Sequence, residues 1–354
     1  MLRNRVSRLA AATMGGALLM AAAACGGGDD TTTGATAGAS SAPAAAGAKV
    51  GMAYDIGGRG DGSFNDAAAR GLDQAESELK IEKKELEATA GETDAQKEER
   101  LRLLANGGYN PVIAVGFVYS GPLVKVAKEF PDVKFAIVDD DAAKADNITN
   151  LMFAEEQGSF LVGAAAALKS EKGNIGFVGG VDVPLIHKFE AGFEAGAKAV
   201  KPDIKIQTKY LTQPPDFGGF GDPAKGKTAA TGMYDAGADV VYQAAGGSGG
   251  GVFEAAKAAK AMAIGVDSDQ AALPAYADFK DVIMTSMIKK VDVAVFDFLK
   301  NFTSGTVKAG PAIYDLKAGG VDYSTTGGKI DDIKPKIDEY KQKIISGEIS
   351  VPSS

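Results

Sequence analysis

Asp55, Ser63, Phe64 and Asn65 fall close together in the run Tyr-Asp-Ile-Gly-Gly-Arg-Gly-Asp-Gly-Ser-Phe-Asn, residues 54–65. A carboxylate accepts hydrogen bonds, an amide gives and accepts them, and a phenyl ring offers a flat face for stacking. That set suits a ligand with a ring and a sugar. The glycines lack the spacing of a dinucleotide fingerprint, and no Lys-Ser/Thr pair follows them, which argues against a phosphate cradle.

The run must sit between a strand and a helix. Lys49-Val50-Gly51-Met52-Ala53 precedes it, and the alanine-rich stretch from Asp66 to Leu72 follows it. Glycine-rich loops at such junctions are where α/β proteins present ligand contacts. Farther on, short apolar runs alternate with helical stretches. Strands are expected at 49–54, weakly at 85–88, then at 111–115, 134–138, 147–153, 175–178, 204–210, 240–243, 263–266 and 282–286. Helices are expected at 64–79, 93–106, 121–130, 157–169, 185–200, 223–235, 249–261 and 288–301. This alternation specifies βαβ units and parallel sheets covered by helices on both faces. About 300 folded residues exceed one ordinary core, so two lobes are expected. Asp139 after Phe-Ala-Ile-Val and Asp267 after Ala-Ile-Gly-Val end equivalent strands of the two halves. Ligands in open α/β sheets bind beyond such strand ends.

The 54–65 run closely resembles the signature of the basic membrane protein family, the lipid-anchored substrate-binding proteins of ABC importers. Characterised members of that family include purine-nucleoside receptors. The resemblance continues through Phe135–Asp139, Glu156–Gly163, Asp222–Lys227, Gly246–Gly249, Gly265–Gln270 and Thr285–Lys289, in family order. It implies a type I periplasmic-binding-protein-like α/β fold, with two doubly wound parallel-sheet lobes joined by a three-segment hinge. The N-terminal lobe is expected to comprise 49–150 plus 286–310, and the C-terminal lobe 151–285 plus 311–354.

Phe64 and Phe220 each lie among Gly, Ser, Asp and Asn at a helix entrance, not in an apolar run. By the resemblance they sandwich the ligand base, with Phe217 the alternative to Phe220. Asp55 and Asn65 would serve the base edge, with Asp139 a second acid on that side. Asp140 and Asp141 compete with Asp139, but three buried acids in a row are costly, so those two are expected in solvent. Asp267 and Lys289 match family positions that hold ribose hydroxyls, and Lys290 is the alternative to Lys289. A carboxylate beside an ammonium supplies acceptors and donors for a cis-diol. Gly246 and Gly247 would let the backbone approach the sugar. The family's asparagine in that loop is replaced by Gly250, which removes one amide.

At the N-terminus, Arg3, Arg5 and Arg8 precede an apolar stretch that ends in Ala22-Ala23-Ala24-Cys25. This is the pattern of a bacterial lipoprotein export signal over 1–24, with lipidation at Cys25, the single cysteine. Residues 25–48 read as a flexible tether, because their composition cannot bury enough surface to fold. The expected location is the extracytoplasmic face of the cell membrane, reached through the lipid anchor. Without the signal the chain keeps 35 basic and 46 acidic residues, a charge of −11. An acidic body argues against nucleic acid as a partner. One histidine and one cysteine leave little for a transition-metal site, and no cofactor is expected.

No Ser-His-Asp arrangement can be built around His187, and no catalytic residue is expected. The leading reading is therefore a monomeric receptor that binds a purine nucleoside and delivers it to ABC permease and ATPase subunits. A nucleoside-cleaving enzyme is one alternative, because an acidic sugar site could stabilise an oxocarbenium ion. A ligand sensor that signals to another membrane protein is the other, since it would use the same closing motion.

Overall fold

Runs such as Val-Ile-Ala-Val and Phe-Ala-Ile-Val, apolar at every position, can be satisfied only where both faces of a strand are covered. In the computed structural model, which describes residues 47–354, they are the central strands of a parallel sheet. That first sheet contains β1 (Lys49–Ala53), β2 (Glu82–Leu86), β3 (Val112–Val115), β4 (Phe135–Val138), β5 (Ile148–Phe153) and β11 (Gly310–Tyr314), in the order β11-β5-β4-β3-β1-β2. Residues of β3 and β4 are all buried. The edge strand β2 reads Glu-Lys-Lys-Glu-Leu, and its charges discourage pairing with another chain.

The second sheet has the order β12-β10-β9-β8-β6-β7, from β6 (Asn174–Val181), β7 (Lys205–Thr212), β8 (Val240–Ala244), β9 (Met262–Asp267), β10 (Ile283–Lys289) and β12 (Val321–Tyr323). Only β12 among the described strands runs antiparallel to its neighbour. The expected pair of parallel-sheet lobes is present. Strands β11 and β12 and helix α9 (Lys334–Ile345) were not foreseen, because each is short or weakly patterned.

Helices α1 (Phe64–Leu79), α2 (Asp94–Asn106), α3 (Ser120–Glu129) and α8 (Val291–Thr303) flank the first sheet. Helices α4 (Glu155–Lys169), α5 (Pro184–Val200), α6 (Pro223–Asp235), α7 (Gly249–Ala259) and α9 belong to the second lobe. Helix α4 crosses α5 with their backbones almost touching. A Cβ on Gly163 would collide with the Phe193 carbonyl, one on Gly192 with that of Glu156, and one on Gly196 with that of Phe160. This crossing fixes the starts of both helices, and both starts face the space between the lobes.

The chain passes between lobes at three places, but a few residues from where the sequence suggested. Strand β5 stays with the first sheet through Phe153, so the first crossing is at Ala154 and not at 150–151. Strand β10 is second-lobe structure through Lys289, so Ile288 begins no helix and the second crossing is at Lys290. Strand β11 pairs with β5, so 310–314 belongs to the first lobe and the last crossing follows Tyr314. Backbone hydrogen bonds brace these crossings: Ala154 N–H donates to Tyr314 O at 3.2 Å and Lys290 N–H to Gly320 O at 2.9 Å. The leader, Cys25 and residues 26–46 lie outside the described residues.

Candidate functional site

A helix beginning at Phe64 leaves the N–H groups of its first turn without intrahelical partners. Ser63 stands at the cap position, yet its hydroxyl does not cap. Asp61 does so instead: its carboxylate accepts the N–H groups of Ser63 (2.9 Å), Asn65 (2.8 Å) and Asp66 (3.1 Å). The Asn65 amide secures the rest of the loop. Its Oδ1 accepts Asp55 N–H at 3.1 Å, while its Nδ2 donates to Ile56 O at 3.3 Å and Asp61 at 3.1 Å. Asn65 therefore lines the site with its polar atoms already engaged, and its place is that of a loop brace. With Asp61 as the cap, the Ser63 hydroxyl is free to donate to Asp267 of the other lobe at 2.5 Å.

The loop faces a cavity between the lobes. Asp55, Ile56, Asp61, Phe64 and Asn65 reach it from the first loop, and Gly116 and Phe117 from the end of β3. Asp139 lines it from the end of β4, and Asp267 and Lys289 from the ends of β9 and β10. Phe220, Ala244, Gly246, Val266 and the first two turns of α5 (Leu185, Ile186, Phe189) complete the wall. Phe64 and Phe220 thus reach one cavity from opposite lobes. Phe217 does not line it, and packs edge-on against Phe117 across the lobes at 5.9 Å between centroids. Gly247 and Ser63 also stand outside the lining. Gly247 backs onto the Phe220 carbonyl, and Ser63 acts through Asp267.

Asp139 and Asp267 share a backbone state that only a few residue types accept. Their φ angles are 65° and 63°, in the left-handed region, which Asp tolerates better than most residues. The sharp turn at each strand end points a buried carboxylate into the cleft. Asp140, expected in solvent, is instead buried: its carboxylate accepts Ala143 N–H at 2.7 Å and closes the turn after β4. Asp141 is exposed. Lys290 stands at the hinge outside the cavity, while Lys289 is 2 % exposed within it.

The Lys289 ammonium bonds Asp139 and lies 3.0 Å from Glu155 Oε1. Phe64, Phe153 and Phe189 surround it with ring centroids at 5.2, 5.1 and 5.4 Å. Burial lowers its proton affinity, but Asp139, Glu155 and Asp267 outweigh burial and hold it above the ordinary lysine range. Burial raises Asp139 and Asp267, with Lys289 opposing in both. Both partners of the Lys289–Asp139 pair shift toward holding protons, because several acids surround one base. Asp55 is pushed up to about 7 by burial, against the Ile56 N–H and Lys97.

Carboxylate oxygens make up most of what remains for a ligand. No hydrogen bond from the described residues reaches Asp55 Oδ2, Asp139 Oδ1 or Asp267 Oδ1, and Asp139 Oδ1 is fully enclosed. A guest that fits must bring hydrogen-bond donors and at least one flat apolar face. An anion would meet four carboxyl groups, Asp55, Asp61, Asp139 and Asp267, against the one ammonium of Lys289.

A family profile described as ABC transporter substrate-binding protein, PnrA-like (Bmp), matches residues 48–354. The chain belongs to the Bmp family. It is 37 % identical over 322 residues to the CD4+ T-cell-stimulating antigen of Listeria monocytogenes, covering 86 % of this chain and 87 % of that one. It is also 37 % identical over 324 residues to the ABC transporter nucleoside-binding protein BmpA of Lactococcus lactis, covering 86 % and 89 %. An uncharacterized lipoprotein of Pyrococcus abyssi is 36 % identical over 287 residues, covering 78 % and 68 %. Among solved structures, ABC transporter solute-binding proteins of Aeropyrum pernix superpose with a TM-score of 0.75 at 29 % identity, over 87 % of this chain and 94 % of that one. One from Conexibacter woesei gives 0.69 at 26 %, over 86 % and 99 %. A Bmp protein is an ABC transporter substrate-binding protein, with a small-molecule ligand and transporter partners. No helix among the described residues is long and apolar enough to cross a membrane.

Sequence reasoning missed Glu155, Phe117 and the α5 wall of this Bmp site. Glu155 stands two residues after the end of β5, near the strand end as Asp139 is to β4, and that position was its available signal. Ile186 and Phe189 are spaced i, i+3 on α5, a pattern that reads equally as lobe core.

Proposed function

We propose that the cleft captures a purine nucleoside outside the membrane and hands it to an ABC importer. The observation that carries this reading is the pairing of two chemistries in one cavity. Phe64 and Phe220 from opposite lobes suit the two faces of a base, and Asp139, Asp267 and Lys289 suit a cis-diol. The Lactococcus relative's description as nucleoside-binding supports it. In this reading Phe64 and Phe220 stack on the purine, Asp55 takes its polar edge, and Gly246 gives the sugar close backbone approach. Asn65, Ser63 and Gly247 keep those groups in place. Nucleotides are disfavoured because a phosphate would add charge to a lining already acidic.

Calorimetry with guanosine, adenosine, inosine, ribose and a nucleoside monophosphate tests the reading. The nucleosides should bind most tightly, and ribose or the nucleotide binding better than all three would overturn it. Inosine recovered intact after incubation separates a receptor from a nucleoside-cleaving enzyme.

Lipidation of Cys25 would hold this monomeric receptor at the extracytoplasmic face of the membrane, in keeping with the Pyrococcus relative's description as a lipoprotein. Cys25→Ser should release it from the membrane with ligand affinity unchanged, since the tether separates anchor from cleft. Retention of the variant in membranes after a high-salt wash would remove the anchor from the proposal.

A further inference from the structure

Asp55 and Asp139 follow β1 and β4, and β3 alone lies between those strands. Two strand spacings separate the strand ends, about 9–10 Å. That is close to the reach of a purine nucleoside from its ribose hydroxyls to the far edge of its six-membered ring. With the ribose on Asp139, Asp267 and Lys289, the atoms that meet Asp55 are ring N1 and its neighbouring substituents. This placement rests on the nucleoside reading above.

Asp55 is equipped to meet that edge. Its Oδ1 accepts the Ile56 N–H at 2.6 Å, and no hydrogen bond from the described residues reaches Oδ2. Gly116 leaves room for the carboxylate, since a Cβ there would collide with Oδ2. Asn65 beside it has both amide hydrogens engaged within the loop and so has none left to donate to a bare N1. An ionised carboxylate only accepts hydrogen bonds, whereas its acid form also donates one.

We propose that Asp55 sorts purine nucleosides by whether ring N1 carries a hydrogen, and that the preference turns over with pH. The carboxylate accepts N1–H of inosine or guanosine. The carboxylic acid donates to the bare N1 of adenosine.

The groups that face Asp55 permit both forms near neutrality. Lys97 of α2 favours the anion, while Glu92 before α2 and Asp139 after β4 disfavour it. Arg100 is engaged by Glu92 and by the Tyr119 hydroxyl, and that hydroxyl donates to Tyr54 O. Asp61 on the same loop spends its carboxylate on N–H groups. Burial dominates and brings the Asp55 carboxyl to about 7.

The test is calorimetric Kd for inosine and adenosine at about pH 5.5 and about pH 7.8, values that straddle the Asp55 carboxyl while adenosine stays unprotonated and inosine keeps its N1–H, on the wild type and Asp55→Asn. The ratio of adenosine Kd to inosine Kd should rise at least about tenfold between those pH values in the wild type, since each pH unit changes the acid-to-carboxylate ratio by about tenfold. It should stay constant in Asp55→Asn. Titration of Asp139 or Asp267 cancels in the ratio, because both nucleosides carry the same ribose. A constant ratio in the wild type, or an unchanged turnover in Asp55→Asn, overturns the inference and leaves the nucleoside reading standing. If neither nucleoside binds at either pH, both fall together.

Discussion

The Ser63 hydroxyl donates a 2.5 Å hydrogen bond to Asp267, joining the first loop of one lobe to a strand end of the other. Nearby, the Gln270 amide donates to Gly62 O at 2.8 Å, and Arg70 donates to the Ser268 hydroxyl at 2.9 Å. The closed arrangement of the lobes is therefore held partly by groups that touch no ligand. Ser63→Ala should weaken nucleoside binding about ten- to 150-fold, the value of one hydrogen bond to a charged group at about 1.5–3 kcal/mol. The loss should appear mainly in the dissociation rate, measured by stopped-flow fluorescence or surface plasmon resonance. Unchanged dissociation would mean that this bond adds nothing to closure.

Phe64→Ala and Phe220→Ala should each weaken binding by about 1–3 kcal/mol, the scale of base–aromatic stacking. Phe217→Ala should cost less, because that ring meets Phe117 and not the cavity. His187 bonds Asp182 on the surface, so His187→Ala should change affinity by about twofold at most. Equal losses at Phe217 and Phe220 in calorimetry would contradict the assignment of one ring to the ligand and the other to the rim.

Removing one member of the Lys289 cluster should cost more than stacking does. Asp267→Ala takes away diol acceptors and a partner of Ser63, and leaves Lys289 with less compensation in a desolvated site. A loss of about 2–5 kcal/mol is expected. Ribose-lacking purine bases should be indifferent to the same change. A matching loss for the free base would move the sugar away from Asp267.

Stability should depend on pH through the buried loop acids. Burial raises Asp55 to about 7 and Asp61 to about 6, so the folded ligand-free protein holds protons that the unfolded chain releases above about pH 4. Their contribution is complete below about pH 4 and is lost as pH rises through 6 and 7. Glu85 and Glu92 carry the opposite sign, because Tyr54, Arg59 and Arg100 lower them against their burial, and they lose stability at lower pH. Thermal melts should therefore peak near about pH 5 and decline toward about pH 8, and Asp55→Asn should flatten the decline. A Tm that rises steadily to pH 8 would contradict this.

The α4–α5 crossing should resist any added side-chain atom. Gly192→Ala forces a Cβ against the Glu156 carbonyl, with no flexible side chain to yield. A loss of at least about 2 kcal/mol is expected, at the upper part of the range for overpacking. Ligand affinity should fall with it, because the same crossing sets Glu155 and Phe189. A chemical-denaturation midpoint equal to wild type would show that the helices can slide apart freely.

Much of this was open to the linear chain. Apolar runs and helical stretches come from local propensity and period, and α1 and α6 were anticipated residue for residue at 64–79 and 223–235. Loop chemistry is local too, so the Gly-rich entrance with Phe64 and the acidic strand ends at 139 and 267 could be read directly. Tertiary structure alone decided which polar atoms remain free. Asn65 and Ser63 look like ligand contacts by type, but Asp55, Asp61 and Asp267 claim their hydrogen-bonding capacity across loop and lobe. Asp140 looks solvent-bound beside Asp139 and Asp141, yet one turn buries it and exposes its neighbour. Lys289 and Lys290 are alike in sequence, and the last residue of β10 faces the cavity while the next stands outside it at the position before α8. Hydrogen-bond satisfaction and burial are sums over neighbours distant in sequence, and no local pattern contains them.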